Sequence, residues 1–189
     1  MKKILLLPLM FGLQLAVAAE IEGVGVEERV TVGAAELQLN GAGVRKRAFF
    51  KVYVGALYLA EKKSGAAEAI ALKGPKRVSM TLLRDLGARQ LSDALEEGIR
   101  ANHSQAELAP LRERIDLLVT VMNEIGGAKE KTSIALDFLP DSGTRVAVDG
   151  ATRGKPIPGE DFYAALLRIW LGEKPVDADL KKAMLGQAG

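Results

Sequence analysis

The run from Phe49 to Leu59, FFKVYVGALYL, constrains this chain more than any other stretch. It is rich in aromatic and branched residues, which favours a strand. A strand this apolar is expected in the middle of a sheet, with both faces covered. Just before it come Asn40-Gly41-Ala42-Gly43, which read as a bulge or kink, and then three cations, Arg45, Lys46 and Arg47. Two glycines two positions apart at the opening of a strand suit a place where the backbone needs positive φ or a close approach. The cations create a requirement, because an isolated guanidinium buried beside apolar surface is very costly. It must be paired, with a ligand carboxylate or phenolate as one choice, or stay wet at the strand end. Strand alternation puts Arg45 and Arg47 on one face and Lys46 on the other. One of the two arginines is then enough to meet a ligand, and Arg47 has Asp85 as an alternative partner. Lys51, Tyr53 and Tyr58 add polar tips along the strand.

The rest of the chain supplies a sheet and helices in blocks. Val24, Val26, Val30 and Val32 alternate with polar residues, as in a first strand or strand pair, and Ala35 to Leu39 read as a second short strand. Lys62 to Leu72 read as an Ala-rich surface helix closed by Gly74-Pro75, and Lys76 to Leu83 as a half-buried strand. Leu91, Ala94, Leu95, Gly98 and Ile99 fall on one face of a helix between Ala88 and Asn102. Ser104 and Glu107 form a capping-box pattern, and a longer helix is expected to restart at Pro110 and to stop at Gly126-Gly127. Strands follow at Thr132 to Leu139, around Val146 and Val148, and at Thr152 to Ile157, with Asp149-Gly150 as a hairpin turn. Glu160 to Leu171 read as a helix stopped by Gly172, and Asp177 caps a last one. Blocks rather than strict alternation predict an α+β fold with a large, mostly antiparallel sheet.

The first eighteen residues read as a secretory signal peptide: Lys2-Lys3, an apolar run from Ile4, and Ala16-Val17-Ala18-Ala19 as a small-x-small cleavage site. Cleavage after Ala18 or Ala19 leaves 20–189 as one domain of about 170 residues, ample for a core. No later stretch is apolar enough for an integral membrane segment. The expected location is the bacterial periplasm or the exterior. There is no cysteine, so an exported chain of this kind has neither disulfide nor thiol chemistry. The 26 basic residues less Lys2 and Lys3 equal the 24 acidic ones, and this balance argues against a nucleic-acid partner. A soluble monomer or weak oligomer is expected.

Several familiar chemistries are missing. In Gly41-Ala42-Gly43, Lys46 stands where a dinucleotide fingerprint needs its third glycine, and a strand follows instead of a helix. The single histidine, His103, lies between helices without a second ligand, so no metal site and no cofactor are expected. Glu160 and Asp161 suit first-turn acids facing a helix dipole better than a catalytic pair.

Gly41-Ala42-Gly43-Val44-Arg45, the run Phe49 to Leu59, Arg84-Asp85, Pro158-Gly159-Glu160-Asp161-Phe162, Ile169-Trp170-Leu171-Gly172 and Asp179-Leu180-Lys181 together resemble the chalcone isomerase-like family, in order and over nearly all of the mature chain. The exported bacterial branch is the most similar. The resemblance implies an open-faced β-sandwich, with a large antiparallel sheet, a layer of helices on one face and an apolar ligand cleft between them. It also implies that Arg45 matches the arginine that faces the substrate oxyanion in the plant enzyme. The enzyme's strand threonine falls on Tyr53, its helical Tyr and Asn fall near Leu91 and Gly98, and its last pocket threonine near Ile169. One cation and one hydroxyl survive, while most of the polar cyclisation apparatus does not.

Fatty-acid-binding members that are not catalysts pair an Arg with a Tyr on the ligand carboxylate, and Arg45 with Tyr53 looks more like that pattern. A guanidinium fork suits a carboxylate, and a phenol adds a donor without charge. Leu91, Leu95, Gly98, Ile169 and Trp170 are then expected to line a tunnel for an acyl or aromatic body. The expectation is a periplasmic protein binding a small hydrophobic carboxylate, a fatty or aromatic acid. The alternative is an isomerase, an intramolecular lyase, with Arg45 stabilising an oxyanion and Tyr53 handling a proton if the cation lowers its pKa. A third reading, a structural or partner-binding module, gains if the cleft is filled by its own side chains.

Overall fold

Seven strands pair in the order in which they leave the chain: β3 (Arg29–Val32), β4 (Ala35–Arg47), β5 (Phe50–Leu59), β6 (Lys76–Leu82), β7 (Ser133–Leu139), β8 (Gly143–Val148) and β9 (Ala151–Ile157). Every neighbouring pair is antiparallel. β1 (Val17–Ile21) and β2 (Val24–Glu27) form a separate hairpin. The helices are α1 (Ala66–Ala71), α2 (Ala88–Ala101), α3 (Gln105–Leu108), α4 (Arg112–Glu124), α5 (Glu160–Leu171) and α6 (Ala178–Met184). This computed structural model describes residues 17–187, so most of the expected signal peptide lies outside the described residues.

Period-two alternation decides which residues go where. Along β6, Val78, Met80 and Leu82 are buried under the helices, while Arg77, Ser79 and Thr81 point to the other face. On β5, Tyr53, Leu57 and Leu59 join the helical core. Val54, Ala56 and Tyr58 join a smaller cluster with Val26, Val30, Val32 and Leu37. The expectation of a strand covered on both faces therefore holds, with helices on one side and the β1–β2 hairpin helping on the other. The fold is α+β, with its helices layered on one face of a large antiparallel sheet.

Local chemistry explains most element ends. Ser104 Oγ accepts from the Glu107 N–H, and Glu107 Oε2 accepts from the Ser104 N–H, which closes the expected capping box. Pro110 lies in a single 3-10 turn, Ala109–Leu111, and α4 starts two residues later than Pro110 itself. Asp149 and Gly150 both have positive φ, the conformation that their hairpin turn requires. Helix α1 is shorter than expected, because Asn40 captures the backbone ahead of it. Asn40 accepts from the Lys63 N–H at 2.7 Å and donates to the Lys63 carbonyl at 2.9 Å.

The glycine-rich stretch differs from the expectation. Gly41-Ala42-Gly43 runs inside β4 instead of opening β5, and Arg45, Lys46 and Arg47 end β4. The β4–β5 register shifts twice: at Asn40, between the pairs Leu39↔Tyr58 and Gly41↔Leu57, and at Val52, between Arg45↔Tyr53 and Lys46↔Lys51. Of the two reasons for glycine, close approach is the operative one. A Cβ on Gly41 would lie 2.0 Å from the Ala183 carbonyl oxygen of α6, and one on Gly43 would lie 2.6 Å from Ala183 Cβ. Gly41→Ala is therefore expected to push α6 off the sheet and to destabilise the fold by about 1–3 kcal/mol. Urea unfolding reads the loss, and hydrogen exchange should show it concentrated in α6.

A cleft between sheet and helices

β4 and β5 place Arg45 directly opposite Tyr53, so both side chains leave the same face of the sheet. That face looks toward the helices. Tyr53, Met80, Leu82 and Ile134 form the floor of an apolar cleft, and Leu91, Leu95, Met122, Ile169 and Trp170 form its helical walls, with Arg45 also on its lining. The cleft is narrow, about 40 Å³. Its own side chains nearly fill it.

Two polar groups in this apolar setting have donors left over. Trp170 Nε1 donates to the Tyr53 hydroxyl oxygen at 2.8 Å, and both residues are buried. An indole can only donate, so the phenol accepts there and its own hydrogen stays available. No acceptor takes it among the described residues. The Arg45 guanidinium carbon lies 5.5 Å from the Tyr53 ring centroid. Its Nε is buried without a hydrogen-bond partner among the described residues. Arg45 as a whole is half-buried, so the unmatched donor is this one nitrogen, where a buried polar atom normally has a partner.

Burial pushes the Tyr53 phenol above its ordinary pKa; Arg45 and the Trp170 hydrogen bond oppose this, and Asp177 adds to it. Desolvation outweighs the cation, so the phenol is a neutral hydrogen-bond donor. The condition attached to the isomerase reading, a Tyr53 pKa lowered by the cation, is therefore not met: Arg45 pulls it down, but burial outweighs that pull.

The structure brings Arg45, Tyr53, Leu91, Leu95, Ile169 and Trp170 onto one cleft. Gly98 sits behind the wall, where a Cβ would lie 2.8 Å from Ile169 Cγ2, and so lets α2 approach α5. Arg47 is exposed on β4, and Asp85 pairs with Lys129 at 2.7 Å instead of with Arg47. Of the first-turn acids on α5, Asp161 is bonded by both terminal nitrogens of Arg114 at 2.6 and 2.8 Å, and Glu160 meets Lys73 at 2.9 Å. Arg114 holds the Asp161 carboxyl below its ordinary pKa. His103 is half-buried, with Nδ1 2.8 Å from the Ile99 carbonyl oxygen. Met80, Leu82, Met122 and Ile134 were missed as cleft residues, although each lies on the inward stripe of its strand or helix. Periodicity alone identified that stripe as core without showing that part of it borders a cleft.

A larger hollow of about 320 Å³ lies on the opposite face, between β2 and strands β6 to β9. Ser79, Thr81, Ser133 and Thr152 make it polar. Its charges largely answer one another. Fully buried Asp137 receives Arg77 through two nitrogens and Arg145 Nη2 at 2.7 Å, although Arg145 Nε has no partner. Tyr58 there is pushed up to about 12, chiefly by burial. Size favours this hollow, but the apolar cleft is the stronger candidate for an acid with a hydrophobic body. It alone combines an unmatched guanidinium donor, a free phenol hydrogen and an apolar lining.

The chalcone isomerase-like family model matches residues 18–186. No curated protein matches the chain. Among solved structures, the crystal structure of the Arabidopsis thaliana fatty-acid binding protein AtFAP1 is similar, with a TM-score of 0.66 and 16% identity over 85% of this chain and 97% of that one. At that identity the likeness concerns the fold.

Proposed function

The chain belongs to the chalcone isomerase-like family, and on that premise we propose that it is an exported binding protein for a small hydrophobic acid, fatty or aromatic. The acid's carboxylate meets Arg45 and Tyr53, and its body enters between Leu91, Leu95, Ile169 and Trp170. The observation that carries this reading is the buried, partnerless Arg45 Nε beside the free Tyr53 hydrogen in an apolar cleft. The similarity in fold to a fatty-acid binding protein supports it. A cleft of about 40 Å³ does not hold an acyl chain, so the ligand enters by displacing side chains. Met80 and Met122 line it, and unbranched thioether side chains repack easily.

Trp170 is the only tryptophan and is hydrogen-bonded to Tyr53, so it reports entry directly. Titration with a medium-chain fatty acid is expected to give a saturable change in its fluorescence. The alcohol of equal chain length should bind at least about tenfold more weakly, because hydrogen bonds to charged groups are the stronger ones. No saturable response to fatty or aromatic acids would leave the cleft as packed core and favour the structural module.

The pH profile separates binding from isomerase chemistry. Tyr53's pKa is raised above 10.0, so its neutral donor form persists through neutral and mildly alkaline pH. Affinity is expected to stay flat there and to fall only in acid, as the ligand carboxylate protonates near pH 4–5, roughly as for a side-chain carboxylate. Phenolate absorbance at neutral pH, together with turnover of a chalcone that vanishes in Tyr53→Phe, would support the isomerase instead.

Export makes its own prediction. Cleavage after Ala18 leaves Ala19, Glu20 and Ile21 on β1, paired with Val26, Gly25 and Val24. Intact mass of protein from the periplasm or medium is expected to start at Ala19 or Glu20. A cytosolic chain that retains Met1 would refute it.

A further inference from the structure

The β4–β5 hairpin ends in two aromatic rings that the fold leaves bare. Phe49 is 100% exposed and Phe50 59%. The tight turn that presents them holds Ala48 at φ 53, a left-handed conformation unfavourable for a residue with a Cβ. Such strain tends to persist where function requires it. Cations surround the rings. Lys46 and Arg47 are exposed on the β4 side, and the Arg84 guanidinium lies 4.8 Å from the Phe50 ring centroid. Of the neighbouring acids, Glu22 pairs with Lys51 and Asp85 with Lys129, each at 2.7 Å; Asp177 is the one acid within the collar, where it accepts from the Lys46 backbone N–H at 2.8 Å and caps the next helix. No ion pair takes the side chains of Lys46, Arg47 or Arg84 among the described residues.

We propose that this hairpin tip docks the protein on an anionic lipid bilayer. The Phe49 and Phe50 rings enter the boundary between headgroups and acyl chains, and Lys46, Arg47 and Arg84 meet the headgroup phosphates. Charge complementarity selects this occupant, because the side chains of the collar have positive charge without ion-pair partners and the surface of an anionic bilayer supplies the opposite sign. Shape agrees: two rings on a protruding turn suit the aromatic belt of a membrane interface, whereas a protein groove would need a broader apolar patch. Arg45 lies two residues before Arg47 on the same strand, so docking turns the Arg45 end of the cleft toward the bilayer. That last point rests on the ligand-binding reading; the docking itself does not.

Co-sedimentation of the mature protein with phosphatidylcholine vesicles, with and without phosphatidylglycerol, tests the proposal. Binding is expected only with phosphatidylglycerol and should fall as salt rises. Phe49→Ser and the double variant Lys46→Glu/Arg47→Glu should each reduce it by about tenfold or more. Phe49→Ser should leave Trp170 titration with a soluble acid unchanged, which keeps failure of docking apart from failure of the cleft. Absence of sedimentation with anionic vesicles would overturn the proposal, as would variants that bind like the parent. A dimer that Phe49→Ser abolishes, with no vesicle binding, would assign the tip to a second copy of this chain instead.

Discussion

Arg45→Met is expected to weaken fatty-acid binding by about 10- to 150-fold and to leave stability within about 1 kcal/mol of the parent, or above it. The first figure is the 1.5–3 kcal/mol of a hydrogen bond to a charged group, turned into affinity. The second follows from the ligand-free state. Arg45 Nε is buried without a partner, so methionine removes a desolvation penalty and keeps the apolar stem. Against this stands the loss of the cation's contact with the buried Tyr53 ring, about 1–2 kcal/mol, between the exposed and the desolvated case. Opposite movement of affinity and stability is the signature of a residue kept for a ligand. Arg45→Lys should fall between the two, since it keeps the charge but loses the planar fork. Trp170 titration and thermal melting of the three proteins decide it. If affinity is unchanged, the carboxylate is elsewhere; if stability collapses along with affinity, Arg45 is structural.

The order of elements was legible because each signal was local. Ser104 with Glu107 and Asp149-Gly150 are satisfied within a few positions of themselves, and the inward stripes of α2 and β6 are written as a period inside each element. The misreadings have tertiary causes. Ala48 and Phe49 form a tight turn without Gly, Asn or Asp, so no turn chemistry announced it, and β4's cations were assigned to the opening of β5. Gly41 and Gly43 are glycine because of Ala183, some 140 positions away. Lys63 leaves the helical pattern because of Asn40. At the candidate site, Arg45 and Tyr53 were singled out by family likeness together with the cost of a buried charge. Their placement across one β-bridge, and the Trp170 hydrogen bond to Tyr53, came only from the fold.

Asp137→Ala is expected to destabilise the protein by about 3–5 kcal/mol, the loss typical when one partner of a buried ion network is removed. Nothing in the sequence marked this residue beyond its outward place on an alternating strand. Strand register makes it central: Arg77 on β6 and Arg145 on β8 both lie directly opposite Asp137 on β7. Its carboxylate has no exposure, while the two arginine side chains keep 20% and 30%. Alanine would leave two guanidinium groups facing each other across β7 with no anion between them. The trio also acts as a register lock. A one-residue slip of β7 would send Asp137 into the helical core and break both pairs at once. Replacing all three charges together, Arg77→Met with Asp137→Leu and Arg145→Met, is expected to recover most of the loss, because a buried network and a packed apolar patch are often close in free energy. Guanidinium-chloride unfolding of the parent, the single and the triple variant measures both effects. The cleft lies on the other face of the sheet, so Trp170 titration of the folded single variant should match the parent. A single variant as stable as the parent would show that the lock contributes nothing, and a triple variant no better than the single would show that packing on this face, not charge, holds β6, β7 and β8 in register.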